Sequence, residues 1–271
     1  CQRAGVPDGD GVLQAPAADR GAEIIVFPEL YLPGYAAGES DKCFELSEPI
    51  PGPSTESLVA EATKHKIYIA MGLIEAGKRG ARATGIEYNP DMVALSQRNA
   101  EKEGVAGKAE FRKADLFETD FSKADVITMF LLSSINLKLR PKILDLKPGT
   151  RIVSNSFTMD NWQEDDSVTV SAQDGCSTYC TAYFWIVPAK VGGTWNIQTG
   201  GNARDVSLQQ TFQMLSGTGV SDGRMRGDEI RFSLTDGGVK REFTGRVQGN
   251  SMSGTVKTAG QPDANWSANR R

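Results

Sequence analysis

The chain has 271 residues, of which 39% are hydrophobic and 24% are charged, and its formal net charge is -4 at pH 7. This ordinary globular composition excludes a chain that is disordered throughout. No run approaches the roughly 18 apolar residues that cross a membrane, so no membrane span is predicted. Residues 1–77 hold 5 basic and 12 acidic side chains, whereas the remainder is slightly basic. This asymmetry indicates two segments of different origin.

Cysteine content and the first residue bear on location and metal binding. Because the chain begins with Cys1, we expect further sequence before it, and we favour a cytoplasmic location while leaving the compartment open. Four cysteines are too few for a disulfide scaffold, so reduced thiols are expected. The Cys176-x-x-x-Cys180 spacing suits a local disulfide or half of a zinc site. With His65 as the sole histidine, we predict no metal site.

The N-terminal segment, residues 1–77, has the pattern of an α/β unit. Residues 22–27 are a β-branched apolar run that predicts a buried strand. Ser54 or Thr55 can cap a helix that runs to about residue 65, and residues 66–74 are predicted to form another strand. Glu29 follows the first strand and Pro28, where strand ends in α/β folds present side chains to a site.

The stretch Phe27-Pro-Glu-Leu-Tyr-Leu-Pro-Gly-Tyr35, with Pro51-Gly-Pro-Ser54 and residues 62–75, resembles the start of the nitrilase (carbon-nitrogen hydrolase) superfamily. The resemblance covers residues 1–76 and implies that Glu29 is the general base. The family also needs a lysine and a cysteine nucleophile, which lie beyond the matched part. Cys43 stands in the wrong context for that nucleophile, and a base without a nucleophile does not complete this chemistry.

From residue 80 the pattern alternates regularly between strands and helices. The predicted order is strand 82–87, helix 90–103, strand 108–113, strand 124–130, helix 135–145 and strand 150–156, followed by two strands at 167–173 and 179–187. This order is typical of a Rossmann-like parallel sheet with an antiparallel end. We therefore assign residues 78–188 to one α/β domain.

Two acidic residues in this domain follow predicted strands. Glu87 ends one strand just before a helix, where a carboxylate can hold ribose hydroxyl groups. Asp115 follows the next strand and can accept a hydrogen bond from an adenine amino group. With Asp125–Leu132 and Leu146–Ser154, these segments resemble class I S-adenosylmethionine-dependent methyltransferases, most closely the bacterial relatives of ATP synthase c-subunit lysine methyltransferases.

The resemblance implies S-adenosylmethionine as cofactor, with Glu87, Tyr88, Asp115 and Leu116 as binding residues. It also implies an amine acceptor, which can be a protein lysine. The family opens with a central strand and a Gly-x-Gly-x-Gly loop, and here nitrilase-like sequence stands in their place. Because glycine lets the backbone approach the cofactor closely, we expect cofactor binding to be impaired.

Two segments are candidate substitutes for the missing loop, and two asparagines are candidate substrate contacts. Asp8-Gly-Asp-Gly11 has glycines without a preceding strand, and residues 67–72 have a strand with one glycine. Asn136 and Asn155 lie near strand ends and can orient a substrate, although a capping or turn role is the more usual behaviour of asparagine.

Residues 189–271 lack helix signals and contain short alternating stretches separated by Asp-Gly, Gly-Gly and Gly-Asn turns. This pattern predicts an all-β barrel or sandwich, with its aromatic side chains in the core. Its positive charge is too small to indicate nucleic-acid binding. The oligomeric state is not indicated by the sequence.

The sequence thus favours a methyltransferase-like enzyme and leaves two alternatives open. One is a carbon-nitrogen hydrolase that uses Glu29 as general base. The other is an inactive composite or engineered chain, a chimera whose β module is the binding part. The methyl acceptor stays unidentified in all of these hypotheses.

Overall fold

The computed structural model describes residues 24–26, 68–70, 73–170, 176 and 179–271. Within this part, an α/β region is followed by a closed β-barrel. Among the described residues the longest helix has 13 residues, and none of these helices is long and apolar enough to cross a membrane.

Two short parallel strands, β1 (Ile24–Val26) and β2 (Tyr68–Ala70), form a separate two-stranded sheet. The prediction of a strand through residue 74 is wrong at its end, because helix α1 (Leu73–Lys78) begins there. Leu, Glu, Ala and Lys in this segment are strong helix formers. Leu73 and Ile74 also pack against the strands that follow, where a Cβ added to Gly85 would lie 2.8 Å from Leu73 Cδ1.

The first half of the α/β domain contains β3 (Ala83–Glu87), α2 (Pro90–Lys102) and β4 (Ala109–Lys113). β3 and β4 pair in parallel, with Glu87 opposite Lys113. Asn89 caps α2 by accepting a hydrogen bond from the Asp91 amide, and Pro90 occupies the first turn, where its missing N–H costs nothing. These elements confirm the predicted strand–helix–strand order.

The second half contains β5 (Val126–Met129), α3 (Ser133–Leu144), β6 (Arg151–Asn155), β7 (Asp166–Thr169) and β8 (Thr181–Ile186). The strand order is β5-β6-β8-β7, with β5 and β6 parallel and the other two pairs antiparallel. This confirms the predicted parallel sheet with an antiparallel end. Its core includes Ile143, Ile152 and Trp185, which are fully buried.

The two half-sheets each leave one edge without a strand partner among the described residues. β3 pairs with β4 alone, and β5 pairs with β6 alone. Thr84 on β3 and Val126 and Thr128 on β5 are correspondingly exposed, whereas β6 is buried from Ile152 onward. Parallel strands are normally covered on both sides. The class I resemblance implies a central strand, but β2 pairs with β1 instead.

Charged side chains surround Asp125, which directly precedes β5. Lys147 donates a hydrogen bond to Asp125, which precedes β5. That hydrogen bond, the charge of Lys147 and the more distant charges of Arg151 and Arg82 hold the pKa of Asp125 below its usual value. Arg82 directly precedes β3, so a charge at the start of β3 acts on the carboxylate that precedes β5.

The C-terminal region is a closed, eight-stranded antiparallel barrel, which decides between the predicted barrel and sandwich. Its strands are β9 (Gly193–Thr199), β10 (Asn202–Thr211), β11 (Met214–Gly217), β12 (Val220–Arg226), β13 (Glu229–Asp236), β14 (Val239–Gln248), β15 (Ser251–Thr258) and β16 (Ala264–Arg270). β16 pairs with β9 and closes the barrel, so no strand edge is left open.

Four of the five aromatic side chains that were predicted to fill the barrel core do so, namely Trp195, Phe232, Phe243 and Trp266. The prediction is wrong for Phe212, which packs on the core of the α/β domain. Phe232 and Phe243 stack with ring centroids 4.8 Å apart, and Trp266 meets both edge-on. Trp195 is fully buried, with its indole N–H donating to the Val191 carbonyl. These rings are core residues, because a barrel of this size is filled by its own side chains.

The barrel packs directly on the α/β domain. Phe212, in the turn between β10 and β11, stacks on Trp162 with ring centroids 5.8 Å apart. Arg224 on β12 donates to the Asp165 carboxylate at 2.7 Å. Such desolvated contacts hold the barrel against the antiparallel end of the sheet.

Candidate functional site

The carboxyl ends of β3 and β4 bring the two predicted acidic residues to one edge of the sheet. Glu87 is the last residue of β3, and Asp115 follows the end of β4 by two positions. The strands are parallel and in register, and the Ala114 amide donates to the Glu87 carbonyl at 3.1 Å. Because carboxyl ends of parallel strands are the usual ligand edge of such sheets, both carboxylates are placed to meet a ligand.

Each carboxylate uses one oxygen to shape its own loop. Glu87 Oε1 accepts from the Asn89 amide at 2.7 Å, and Asp115 Oδ1 accepts from the Phe117 amide at 2.8 Å. Both side chains are exposed at this edge. The loop hydrogen bonds fix each carboxylate and leave its second oxygen as an acceptor, which suits hydroxyl and amino donors.

The other two predicted cofactor residues differ in their surroundings. Tyr88 is 77% exposed at the end of β3. Leu116 is partly buried and packs against the hydrophobic core of the second half-sheet. Tyr88 thus lies outside the core, whereas Leu116 contributes packing beneath the Asp115 loop.

Asn136 corrects the sequence interpretation, because it is neither a cap nor a turn residue. It lies inside α3, whose N-cap is Leu132, and its side chain is fully buried. Its Nδ2 lies 3.2 Å from both Ser154 Oγ and the Phe157 carbonyl, to which it donates. The asparagine therefore ties α3 to the turn that follows β6, which local sequence cannot reveal.

Asn155 ends β6 and lies next to this turn. It is 8% exposed, and its Oδ1 accepts a hydrogen bond from the Ser156 hydroxyl at 3.2 Å. Two buried polar atoms of the pair have no hydrogen-bond partner in the part of the chain described here, namely Asn136 Oδ1 and Asn155 Nδ2. Buried polar atoms are normally satisfied, so these two atoms mark the place as functionally interesting.

Three aromatic residues group at the same end of the sheet. Phe130 follows β5, Phe157 follows β6, and Tyr179 precedes β8. Their ring centroids are 5.7 Å apart for Phe130 and Phe157, 5.1 Å for Phe130 and Tyr179, and 5.8 Å for Phe157 and Tyr179. Sequence analysis did not single out these residues, because they come from three separate loops.

Tyr179 lies within a disulfide-closed loop. Cys176 and Cys180 are bonded, with their Cα atoms 5.7 Å apart, so the expectation of reduced thiols is wrong for this pair. The four-residue separation lets the two side chains meet within one turn of the chain. Among the described residues, no group of three or more histidine, cysteine, aspartate and glutamate side chains is placed to hold a metal ion.

Several predicted features lie outside the described residues. They include Glu29, the general base of the hydrolase hypothesis, together with Cys43, His65 and the Asp8–Gly11 segment. The described β1 strand ends at Val26, close before Glu29 in sequence. The role of Glu29 therefore stays a prediction from sequence.

Comparison with known proteins connects this geometry to a family. The ANTKMT methyltransferase domain family matches residues 70–166. A protein-lysine N-methyltransferase from Saccharolobus islandicus is 39% identical over 107 residues, and the ATP synthase c-subunit lysine N-methyltransferase of Homo sapiens is 33% identical over 94 residues. This segment is methyltransferase-like. The match begins seven positions before the predicted boundary at residue 77, and that boundary stays a prediction.

The methyltransferase relatives are matched over part of their length. The alignments cover 39% of this chain and 65% of the archaeal protein, and 34% of this chain and 40% of the human protein. A solved structure, an RNA methyltransferase from Salinibacter ruber in complex with S-adenosyl-L-homocysteine, is 42% identical with a TM-score of 0.40. The match covers 44% of this chain and 74% of that protein.

A second set of relatives concerns a shorter stretch. A bifunctional nitrilase/nitrile hydratase from Lupinus angustifolius is 38% identical over 79 residues, which is 23% of this chain and 23% of that protein. The nitrilase resemblance is therefore supported for a short stretch alone.

Proposed function

We propose that this protein transfers a methyl group from S-adenosylmethionine to an amine acceptor, with a protein lysine as the favoured acceptor class. The observation that carries the proposal is the pair Glu87 and Asp115, held at adjacent parallel strand ends inside the methyltransferase-like segment. The two relatives named as lysine N-methyltransferases support the acceptor class.

The residues present fit the adenosine part of the cofactor. Glu87 offers a second carboxylate oxygen to ribose hydroxyl groups, and Asp115 offers one to the adenine amino group. The methionine part normally lies against the glycine-rich loop, and the sequence that precedes β3 carries no Gly-x-Gly-x-Gly motif. We therefore propose an adenosine-centred site whose affinity is reduced by the missing loop.

When bound, the cofactor supplies an electrophilic sulfonium methyl group for attack by the acceptor nitrogen. The chain contributes alignment and desolvation, which suffice for such a displacement without covalent catalysis. The acceptor ammonium loses a proton to solvent before attack, and the neutral nitrogen then takes the methyl group as the carbon–sulfur bond breaks. The product is a methylammonium ion, so we infer no dedicated base on the protein.

Calorimetric titration with S-adenosylmethionine and S-adenosylhomocysteine tests cofactor binding. Glu87→Gln keeps an oxygen for the Asn89 amide but removes the charge, and we expect it to weaken binding by about 10- to 100-fold. Glu101→Gln is the matched control, because this acid is exposed near the opposite end of α2. Equal binding by both variants, or no binding by the folded wild-type chain, would refute the proposal.

The hydrolase alternative has narrower support. It depends on Glu29 and on a match to 23% of the chain. In the nitrilase family the lysine and the cysteine nucleophile lie beyond the part that resembles this chain. Turnover of a simple amide that is lost on Glu29→Gln would establish this alternative and is not expected.

The hypothesis of a binding module is also weaker than the methyltransferase proposal. The barrel interior is occupied by buried aromatic and aliphatic side chains, including Trp195 and Phe232. A ligand would have to displace this core, and the free energy lost by disrupting the core exceeds the free energy gained by binding a small ligand. We therefore assign the barrel a structural role next to the α/β domain.

A further inference from the structure

The turn that carries Asp115 is held to helix α3 by the side chain of Lys142. This lysine lies in the last turn of α3. Its Nζ donates a hydrogen bond to the Phe117 carbonyl at 2.8 Å and another to the Thr119 carbonyl at 2.6 Å. The contact therefore connects the turn after β4 to the helix after β5, although these two elements follow different strands.

The ammonium group of Lys142 has several partners, which define its position. An ammonium group has three N–H donors, and the two carbonyls use two of them. The ring of Phe121 also faces the cation, with its centroid 4.8 Å from Nζ, and an aromatic face attracts a positive charge. Lys142 is half-buried and adjoins Ile143, which is fully buried in the core. This lysine is therefore built into the domain rather than extended into solvent.

Asp115 and Lys142 act on the same short piece of backbone. Asp115 Oδ1 accepts from the Phe117 amide at 2.8 Å, and Lys142 holds the carbonyl of the same residue. The Thr119 amide and hydroxyl both donate to the Asp115 carbonyl, at 2.9 Å and 2.7 Å, while the Thr119 carbonyl accepts from Lys142. Removal of the cation would release both carbonyls, and the direction of the Asp115 carboxylate depends on the backbone that they belong to.

The middle of this turn has little packing of its own. Phe117 is 39% exposed, and Glu118 is exposed as well. Leu116 and Phe121, at the two sides of this exposed stretch, are partly buried against the core of the second half-sheet. Regions with few buried apolar contacts depend on their hydrogen bonds for order. Loss of Lys142 should therefore loosen the middle of the turn and leave its flanking residues packed.

We propose that Lys142 is a positioning residue that sets the base specificity of the cofactor site, because it fixes the direction of the Asp115 carboxylate. The inference rests on the proposed adenosine site. An adenine amino group donates to a carboxylate, whereas a carbonyl oxygen at the same place on the base is repelled by it. A rigidly held acceptor rejects the second kind of base strongly, and a mobile acceptor can turn away from it. Lys142 therefore contributes more to selectivity than to general affinity.

The test is calorimetric titration of the full chain with S-adenosylhomocysteine and with S-inosylhomocysteine, in which a carbonyl oxygen replaces the adenine amino group. We expect the wild-type chain to prefer the adenosyl ligand and Lys142→Met to lower this preference by about 5- to 20-fold. Lys142→Arg keeps the charge and the donors, so it should restore most of the preference. Lys138→Met is the matched control, because Lys138 lies one turn earlier on α3 with its Nζ 6.0 Å from the Phe117 ring centroid. This control should keep the wild-type preference.

Two further measurements distinguish positioning from a general loss of structure. Melting curves establish that Lys142→Met is folded, and Lys142→Gln, which removes the charge but keeps an N–H donor, provides the same comparison with a smaller expected effect. Without ligand, the Phe117 and Thr119 amides of Lys142→Met should exchange hydrogen at least about 5-fold faster than in the wild-type chain.

The outcomes separate this inference from the proposed function. Equal loss of affinity for both ligands, an unchanged preference in folded Lys142→Met, or unchanged exchange of the two amides would overturn the positioning role and leave cofactor binding by the wild-type chain intact. Binding of neither ligand by the folded wild-type chain would overturn the proposed function, and the specificity role of Lys142 with it.

Discussion

The ion pair between Asp165 and Arg224 allows a direct test of how the barrel is held on the α/β domain. The Asp165 side chain is 5% exposed, whereas that of Arg224 is 31% exposed. Asp165 Oδ1 accepts from Arg224 Nη2 at 2.7 Å, and Oδ2 accepts from the Ile186 amide at 2.8 Å. Replacing Arg224 by Met removes the charged donor and leaves the carboxylate buried.

The expected loss follows from these contacts. A hydrogen bond to a charged group contributes about 1.5–3 kcal/mol, and breaking a fully buried pair costs about 3–5 kcal/mol. Because Arg224 is partly exposed and the Ile186 amide remains bonded, the lower range applies, and we expect Arg224→Met to lower the free energy of unfolding by about 2 kcal/mol. For a chain of this size that corresponds to a melting temperature lower by roughly 4–8 °C.

Urea unfolding followed by circular dichroism measures this loss. Arg246→Met is the control, because Arg246 pairs on the barrel surface with Asp228 and Glu229, and exposed pairs contribute less than about 1 kcal/mol. Adding Asp165→Asn to Arg224→Met should recover part of the loss, since no charge is then buried. Equal stability of the Arg224 and Arg246 variants would refute the view that the junction is desolvated.

Two further predictions concern the barrel core and the sheet. Gly254→Ala should destabilise the protein by about 1–3 kcal/mol, because its Cβ would clash with the Thr244 carbonyl oxygen. Gly192→Ala is the control, because its Cβ would meet ordinary contacts at 3.8 Å, and this variant should be nearly neutral in thermal melts. The Lys147 hydrogen bond lowers the pKa of Asp125. The small stabilising contribution of this carboxylate is therefore present above its usual pKa and disappears as the pH falls through the lowered value. An NMR titration in which Lys147→Met leaves the Asp125 pKa unchanged would contradict this.

The order of elements in the α/β domain can be predicted because each element has a local pattern. The sequence predicts helix α2 at 90–103, and the helix spans Pro90–Lys102, with Asn89 and Pro90 as a clear start signal. For residues 66–74 the prediction is wrong in part, since a short apolar run has the same appearance in a strand and in a buried helix. Packing of Leu73 over Gly85 selects the helix, and that contact depends on the position of β3.

Some residues of the candidate site can be predicted from the sequence and others cannot. Glu87 and Asp115 can be predicted because the acids follow strands whose carboxyl ends share an edge. The group of three aromatic rings and the buried asparagine beside it cannot, because Phe130, Phe157 and Tyr179 come from three loops and Asn136 comes from a helix. Their sequence spacing has no period that predicts their meeting.

Local sequence patterns specify the strand and helix order, the glycine-marked turns of the barrel and the acids at the sheet edge, since each depends on neighbours within a few positions. Tertiary structure alone decided that β16 closes on β9, that β3 and β5 each keep an edge without a described partner, and that the polar ends of Asn136 and Asn155 are buried. Pairing and burial depend on residues far apart along the chain, and local periodicity does not specify which distant partners meet.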